Sequence, residues 1–347
     1  MKKILLSFGG LLGFTIIVFF YHPHSFSPQR LKVCVWSNYF SDAVIREFEK
    51  ETGIPVELSW ITSNEELLAK IKAGAGDFDV VQPSDYMVRQ MAALNLLAPL
   101  DHSKLPHLPL IEDRFTNLPY DPGLHFSIPF DWGTTGILVN TEVLPHLKDG
   151  VSWKDLFDSR VPKQTALLDD MREVFAATFL LLGLDYNPHS ADAIHRASQE
   201  LGDTKNRILV FTLIPDTLSI NGELAISQSY SLDGFKVHFQ NQKFRYFIPK
   251  EGATLWTNNF SVLASSKNQS QALAFLDYLM TPEKAIAIVR QSHLATANRE
   301  VKRLLSPAET ADPNLYPSGE ILKKLYLMGD LKDLLPVMDR AWTELRL

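Results

Sequence analysis

From Leu31 onward the apolar positions switch between a two-residue and a 3.6-residue period, which predicts strands alternating with helices. In LKVCVW, Leu31, Val33 and Val35 share one face of a strand. Ser41 precedes DAVIREFEKETG, where Val44, Ile45 and Phe48 fall at helical spacing and Gly53 is placed to end the helix. Ile54, Val56, Leu58 and Trp60 alternate as a second strand. Ser63 and Glu66 have the spacing of a capping box before Leu67, Leu68 and Ile71, and Gly74 is the stop. DFDVVQPS reads as a third strand. Such a β-α-β-α-β passage predicts a parallel sheet with right-handed crossovers.

A second passage opens at HFSIPFDWGTTGILVN, apolar and rich in strand formers, and continues into a capped helix start at Ser152. ALLDD then reads as a strand feeding the helix MREVFAATFLLLG, and RILVF and ELAISQS read as further strands. NNFSVLAS after Trp256 gives another strand, Gln269 to Met280 an amphipathic helix, and Pro282 the first turn of one more. No repeat and no Gly/Ser linker interrupts the chain. Two lobes without a linker imply strands that cross between them more than once.

The first 30 residues break this pattern. Lys2 and Lys3, an uncharged apolar run from Ile4 to Phe20 and a Pro/Ser/His spacer form the order of an export signal over residues 1–29. The run is also near the minimum length for a membrane span, so an uncleaved anchor stays open beside cleavage. Either way the body is expected beyond the inner membrane, in the periplasm, because the lysines stay inside.

The length of 347 residues suits two lobes better than one core. A net charge of −6 lacks the basic surplus of a nucleic-acid binder and suits a cationic ligand. Cys34 is the single cysteine, which excludes an internal disulfide and a cysteine-based zinc site. The ten histidines include no pair at i, i+4 with a Glu between, so no metal and no cofactor is expected. The glycine-rich phosphate and dinucleotide motifs and the G-x-S-x-G elbow are absent as well. Catalysis is therefore disfavoured.

Aromatic rings recur where the expected strands end: Trp36 and Tyr39, Tyr86, Tyr230 and Trp256. Ordinary packing accounts for any one such ring. As a set they stand where open α/β folds bind ligands, with Ser37 and Asn38 after Trp36, and Thr257, Asn258 and Asn259 after Trp256, supplying polar groups beside them. Asp170 and Glu173 lie three apart at the mouth of the helix after ALLD. The spacing is that of a helix cap, and it also sets two carboxylates at the cleft, expected to stay ionised under the helix dipole. Aromatic faces with ionised carboxylates suit an organic cation. An acid/base pair is the competing enzyme reading, but residues three apart on one helix approach a substrate from the same side.

Several ordered motifs resemble the bacterial spermidine/putrescine-binding periplasmic proteins, the solute receptors of ABC importers. They are W-S-N-Y (36–39), F-x-x-E-T-G-I-x-V (48–56), S-N-E (63–65), D-F-D-V-V-x-P-S (77–84), S-I-P-F-x-W-G-T-T-G (127–136), D-D-x-R-E-V-F (169–175), P-K-E-G-A-x-x-W (249–256) and L-Y-P (315–317). The resemblance implies an α/β, two-lobed type II periplasmic-binding-protein fold with the ligand cleft between lobes. It divides the chain into 31–136 plus 259–300 for the first lobe and 137–258 plus 301–347 for the second. Its ligand-binding positions fall on Trp36, Ser37, Asn38, Tyr39, Ser84, Tyr86, Asp170, Glu173, Tyr230, Trp256 and Asn258.

There are departures. Asn258 stands where the family usually has an aspartate, and Tyr230 where a tryptophan is usual. Asp85 is an extra acid, expected either to restore part of the charge missing at Asn258 or to be a solvated loop residue. The reading that results is a monomeric, non-catalytic receptor that delivers a polyamine to an inner-membrane ABC permease. Another amine-bearing ligand, ferric iron, and an anchored polyamine sensor without transport are the alternatives.

Overall fold

The computed structural model describes residues 30–37, 39–40, 42–74, 77–158 and 160–347, so Asn38 and the leader fall outside the described residues. Among the described residues there are eleven strands: β1 (Leu31–Trp36), β2 (Val56–Ile61), β3 (Val80–Val81), β4 (Ile128–Asn140), β5 (Thr165–Leu168), β6 (Ile208–Thr212), β7 (Ile226–Tyr230), β8 (Phe244–Phe247), β9 (Ala253–Val262), β10 (Ala295–Thr296) and β11 (Leu325–Tyr326). Their main path is β2-β1-β3-β9-β4-β7-β5-β6, with β8 and β10 on β4 and β11 on β9.

At each end the sheet is parallel: β1 pairs with β2 and β3, and β5 with β6 and β7. β1 is buried on both faces, as a parallel strand covered by helices must be. Leu31, Val33 and Val35 enter one core with Phe48, Phe130, Trp132, Phe260 and Phe275, while Cys34 enters the layer behind with Ile61, Met87 and Met91. Burial pushes the Cys34 thiol up to about 11, which keeps it protonated and unreactive. Phe48 meets Phe275 and Tyr278 edge-on at 5.0 and 5.1 Å. Phe48→Ala is expected to cost about 3–5 kcal/mol, read as a lowered denaturation midpoint.

In the middle the sheet is antiparallel, which the strand-helix alternation did not predict. β4 runs for 13 residues and pairs with the 10-residue β9. Ile128, Phe130 and Trp132 of β4 lie in the first core, whereas Ile137 and Val139 lie in a second core with Trp153, Phe175, Phe179 and Ile226. Five residues of one strand thus carry the chain from core to core, beside β9. Long crossing strands of this kind serve as the joint between two lobes.

The tail departs from the expected division at residue 300. Val301, Leu305, Leu315, Tyr316 and Leu327 pack with the first core, and Tyr316 meets Trp132 edge-on at 6.4 Å. Tyr326 stacks on Tyr186 of the second core at 5.2 Å, and from Met328 onward the tail serves that core through Leu331, Met338 and Leu345. The apolar residues after the helix Arg299–Leu304 have their burying surface on the first side.

Local signals hold at most helix ends. The helices Asp42–Thr52 and Asn64–Lys72 are followed by Gly53 and Gly74 with φ of +70° and +64°, the region that favours glycine. Ser63 caps the backbone N–H of Glu66, but the Glu66 carboxylate accepts from Thr62 N at 2.8 Å instead of closing the box. β3 is shorter than DFDVVQPS suggested, because Ser84 already begins the next helix, Asp85–Ala93.

Candidate functional site

The face of the β4/β9 ladder carries three rungs in a row. Asp131 pairs with Asn258, Gly133 with Trp256, and Thr135 with Thr254. Residues two apart on a strand share a face, so each rung presents its side chains to the same side. At Gly133 a methyl group would collide with the Trp256 ring and the Ser231 hydroxyl, so the glycine lets the indole lie flat on the strand. Gly133→Ala is expected to displace Trp256 and weaken binding of any ligand that uses this ring by about tenfold or more. Titration beside near-ultraviolet circular dichroism of the indole reads both effects.

Strand ends bring the other groups to this row. Ser84 forms an isolated bridge to Asn258 as β3 gives way to the helix Asp85–Ala93. Its backbone and hydroxyl are held by Asn64, at 3.0 and 3.1 Å. Tyr230 pairs with Thr135, meets Trp256 edge-on at 6.1 Å and donates its hydroxyl to Asp170 at 2.8 Å. Tyr86 donates to Glu65 at 3.1 Å, accepts from Asn64 at 3.1 Å, and carries the Arg172 guanidinium 4.6 Å above its ring. Tyr39, from the loop after β1, donates to Asp131. The Trp36 backbone N–H donates to the Gln82 side-chain oxygen at 3.1 Å. Ser37 is exposed and spends its hydroxyl on the Ile61 carbonyl at 3.2 Å, while Asn38 lies outside the described residues.

The carboxylates differ from expectation in one physical respect. Asp170 caps the helix Met171–Leu181, accepting from the N–H groups of Arg172 and Glu173 at 2.9 and 3.2 Å. Glu173 does not complete a capping box; it crosses to β9 and accepts from the Thr254 hydroxyl at 2.6 Å. Both acids were expected to stay ionised, yet burial raises both, Glu173 to about 8 with the Asp170 charge adding to it. Loss of hydration outweighs the helix dipole at a buried carboxyl. Asp85 is no solvated loop acid: it is 2% exposed and burial raises it to about 7, with Arg89 and Arg172 opposing.

Asp85, Asp131, Asp170 and Glu173 are therefore four acids near one row of rungs, and among the described residues no lysine or arginine forms an ion pair with any of them. Among the described residues the indole N–H groups of Trp36 and Trp256 and one Asp85 oxygen are buried without a hydrogen-bond partner. Buried polar groups left unpaired cost about 1–3 kcal/mol each, a cost that a ligand with matching donors and acceptors relieves. Among the described residues no three His, Cys, Asp or Glu side chains gather so as to hold a metal ion. A surface cavity of about 480 Å³ lined by Lys154, Lys250 and Lys324 shares no residue with this set.

Sequence reading missed Asp131, Gly133, Thr254, Gln82 and Asn64. Asp131 had a visible signal, as the only charge in the apolar run from Ser127 to Asn140. The others depend on pairing across the sheet.

Residues 43–317 match a protein-family model described as bacterial extracellular solute-binding protein. The spermidine/putrescine-binding periplasmic protein 1 of Haemophilus influenzae is 33% identical over 314 residues, 90% of this chain and 87% of its own. The putrescine-binding periplasmic protein PotF of Escherichia coli is 29% identical, covering 92% of this chain and 91% of its own. Among solved structures, the spermidine/putrescine ABC transporter substrate-binding protein PotD of Streptococcus pneumoniae superimposes with a TM-score of 0.83 at 28% identity, over 92% of this chain and 98% of that one. The two-lobed α/β architecture is thus that of periplasmic binding proteins.

Proposed function

This chain belongs to the bacterial extracellular solute-binding protein family, and we propose that it captures a short linear polyamine, spermidine or putrescine, and delivers it to the permease of an ABC importer. Its role is binding, without catalysis. The observation that carries the reading is a set of acids around Trp256 and Tyr230, Asp85 and Glu173 buried and Asp170 half-buried, with which no lysine or arginine among the described residues forms an ion pair. An ammonium neutralises a carboxylate through charge-assisted hydrogen bonds, and a methylene chain packs on an indole face. A polyamine alternates these two chemistries along its length.

The names of the relatives and the leader support a periplasmic location, and among the described residues no helix is long and apolar enough to cross a membrane. The two lobes would close over the ligand by bending β4 and β9, and the permease would read the closed form.

Calorimetric titration of the exported protein with putrescine, spermidine and spermine tests the reading. Dissociation constants of about a micromolar or lower, equivalent to roughly 8 kcal/mol, are expected for at least one of them. 1,4-Butanediol, which keeps the chain of putrescine and loses the charge, is expected not to bind. Absence of binding by all three amines, or equal binding of the diol, overturns it.

A further inference from the structure

Asp131 is a fully buried carboxylate that the reading above does not use. It sits on β4 where the register with β9 shifts between Pro129 and Asp131, an irregularity that re-aims side chains. One carboxylate oxygen accepts from the Tyr39 hydroxyl and the other from the Asn258 amide nitrogen at 2.8 Å. Neither donor is a cation. A carboxylate held this way is expensive to bury unless its charge serves a neighbour.

Its neighbour is Asn258, which is 8% exposed where Asp131 is sealed, and which also bridges to Ser84. An ionised carboxylate only accepts, so the Asn258 nitrogen must face Asp131 and its carbonyl oxygen must face the other way. On the same face the next rung is Gly133 with Trp256, and the one beyond holds Thr135 and Thr254, where Glu173 is bound. Asp131 and Glu173 therefore lie on opposite sides of the Trp256 rung, with β4 positions 131 and 135 separated by about 14 Å at roughly 3.4 Å per residue.

We propose that Asp131 and Asn258 form a second anionic pole of the cleft, at which the Asn258 carbonyl oxygen accepts from a ligand ammonium while Asp131 supplies the charge and fixes the amide's orientation. This inference rests on the polyamine reading and deepens it: the site takes a ligand with two cationic ends separated by an apolar stretch, and it discriminates against a monoamine. Asp131 is a positioning residue, acting through Asn258. The missing charge at position 258 is made up from β4, one layer deeper, and not from Asp85 alone.

The test compares putrescine with n-butylamine in the wild-type protein, in Asp131→Asn and in the double variant Asp131→Asn/Asn258→Asp. Wild type is expected to prefer the diamine strongly. Asp131→Asn is expected to shrink that preference by about tenfold or more, the value of one charge-assisted hydrogen bond, with thermal stability unchanged or raised because a buried charge is gone. The double variant, which moves the charge to the cleft wall, is expected to restore the preference. An unchanged preference in Asp131→Asn overturns the inference, and so does a loss that the double variant fails to restore. A lowered melting temperature with the preference intact assigns Asp131 to structure alone and also overturns it. Failure of the wild-type protein to bind any polyamine removes the premise, and that result appears before any variant is made.

Discussion

Asp170→Asn is expected to weaken polyamine binding by about a hundredfold while the protein stays folded. The expectation follows from the two roles of this side chain. As a helix cap it needs only an acceptor for the N–H groups of Arg172 and Glu173, and asparagine caps as well as aspartate. As a ligand group it needs charge: it accepts from Tyr230, which meets Trp256 edge-on. A hundredfold loss is about 2.7 kcal/mol, within the range for a hydrogen bond to a charged group. Calorimetry gives the affinity and thermal melting the stability. Wild-type affinity in the variant would place the ligand elsewhere, and joint loss of affinity and melting temperature would make Asp170 only a cap.

The second large effect is a dependence on pH. Burial holds Glu173 at about 8 and Asp85 and Asp131 at about 7, and it raises Asp170 as well, against ordinary values near 4. Arg89 and Arg172 face Asp85 and oppose the rise, while Asp170 adds to that of Glu173. Between about pH 4 and 8 the unliganded folded protein keeps protons that the unfolded chain has released. Its stability therefore falls as pH rises through that window.

A polyamine reverses the preference, because its ammonium groups, with pKa values near that of lysine, stay charged and select ionised carboxylates. Affinity is expected to be full above about pH 8 and to fall by roughly tenfold per pH unit for each proton displaced as pH drops to 6. Titrations in two buffers of different ionisation enthalpy are expected to show proton release at pH 7. A flat affinity between pH 6 and 8.5 with no proton release contradicts this electrostatic account.

The parts of the fold legible in the sequence are those set by neighbours along the chain. The Ser63 cap, the glycines that end two helices, Pro282 at the start of a helix and the alternation in β1 all act within a few residues, and all are present. The antiparallel centre was not legible. Nothing local in S-I-P-F-D-W-G says that it lies against residues 256–260, since register is fixed by a partner more than 120 residues away. The same distance explains the late crossing of the tail.

At the site, position at strand ends drew out Tyr39, Tyr86, Tyr230, Trp256 and Asn258, the helix mouth drew out Asp170, and Ser84 came from the resemblance; the fold brings these side chains near the β4/β9 row. What failed was the inference from position to charge state. Asp170 and Glu173 look ionised from their place on a helix, but burial is a property of the packed lobes and reverses the sign. Asp85 looked like a candidate loop acid for the same reason, and Asp131 was missed because its role depends on the register with Asn258.

The central claim is that a polyamine lies along the Trp256 rung with its ammonium groups on buried carboxylates. Diffraction from crystals grown with spermidine tests it most directly. The predicted result is an extended ligand packed on Trp256, one ammonium within hydrogen-bond distance of Asp170 or Glu173 and another at the Asn258 carbonyl. Spermidine outside this row, or no bound spermidine with these side chains unchanged, would contradict it.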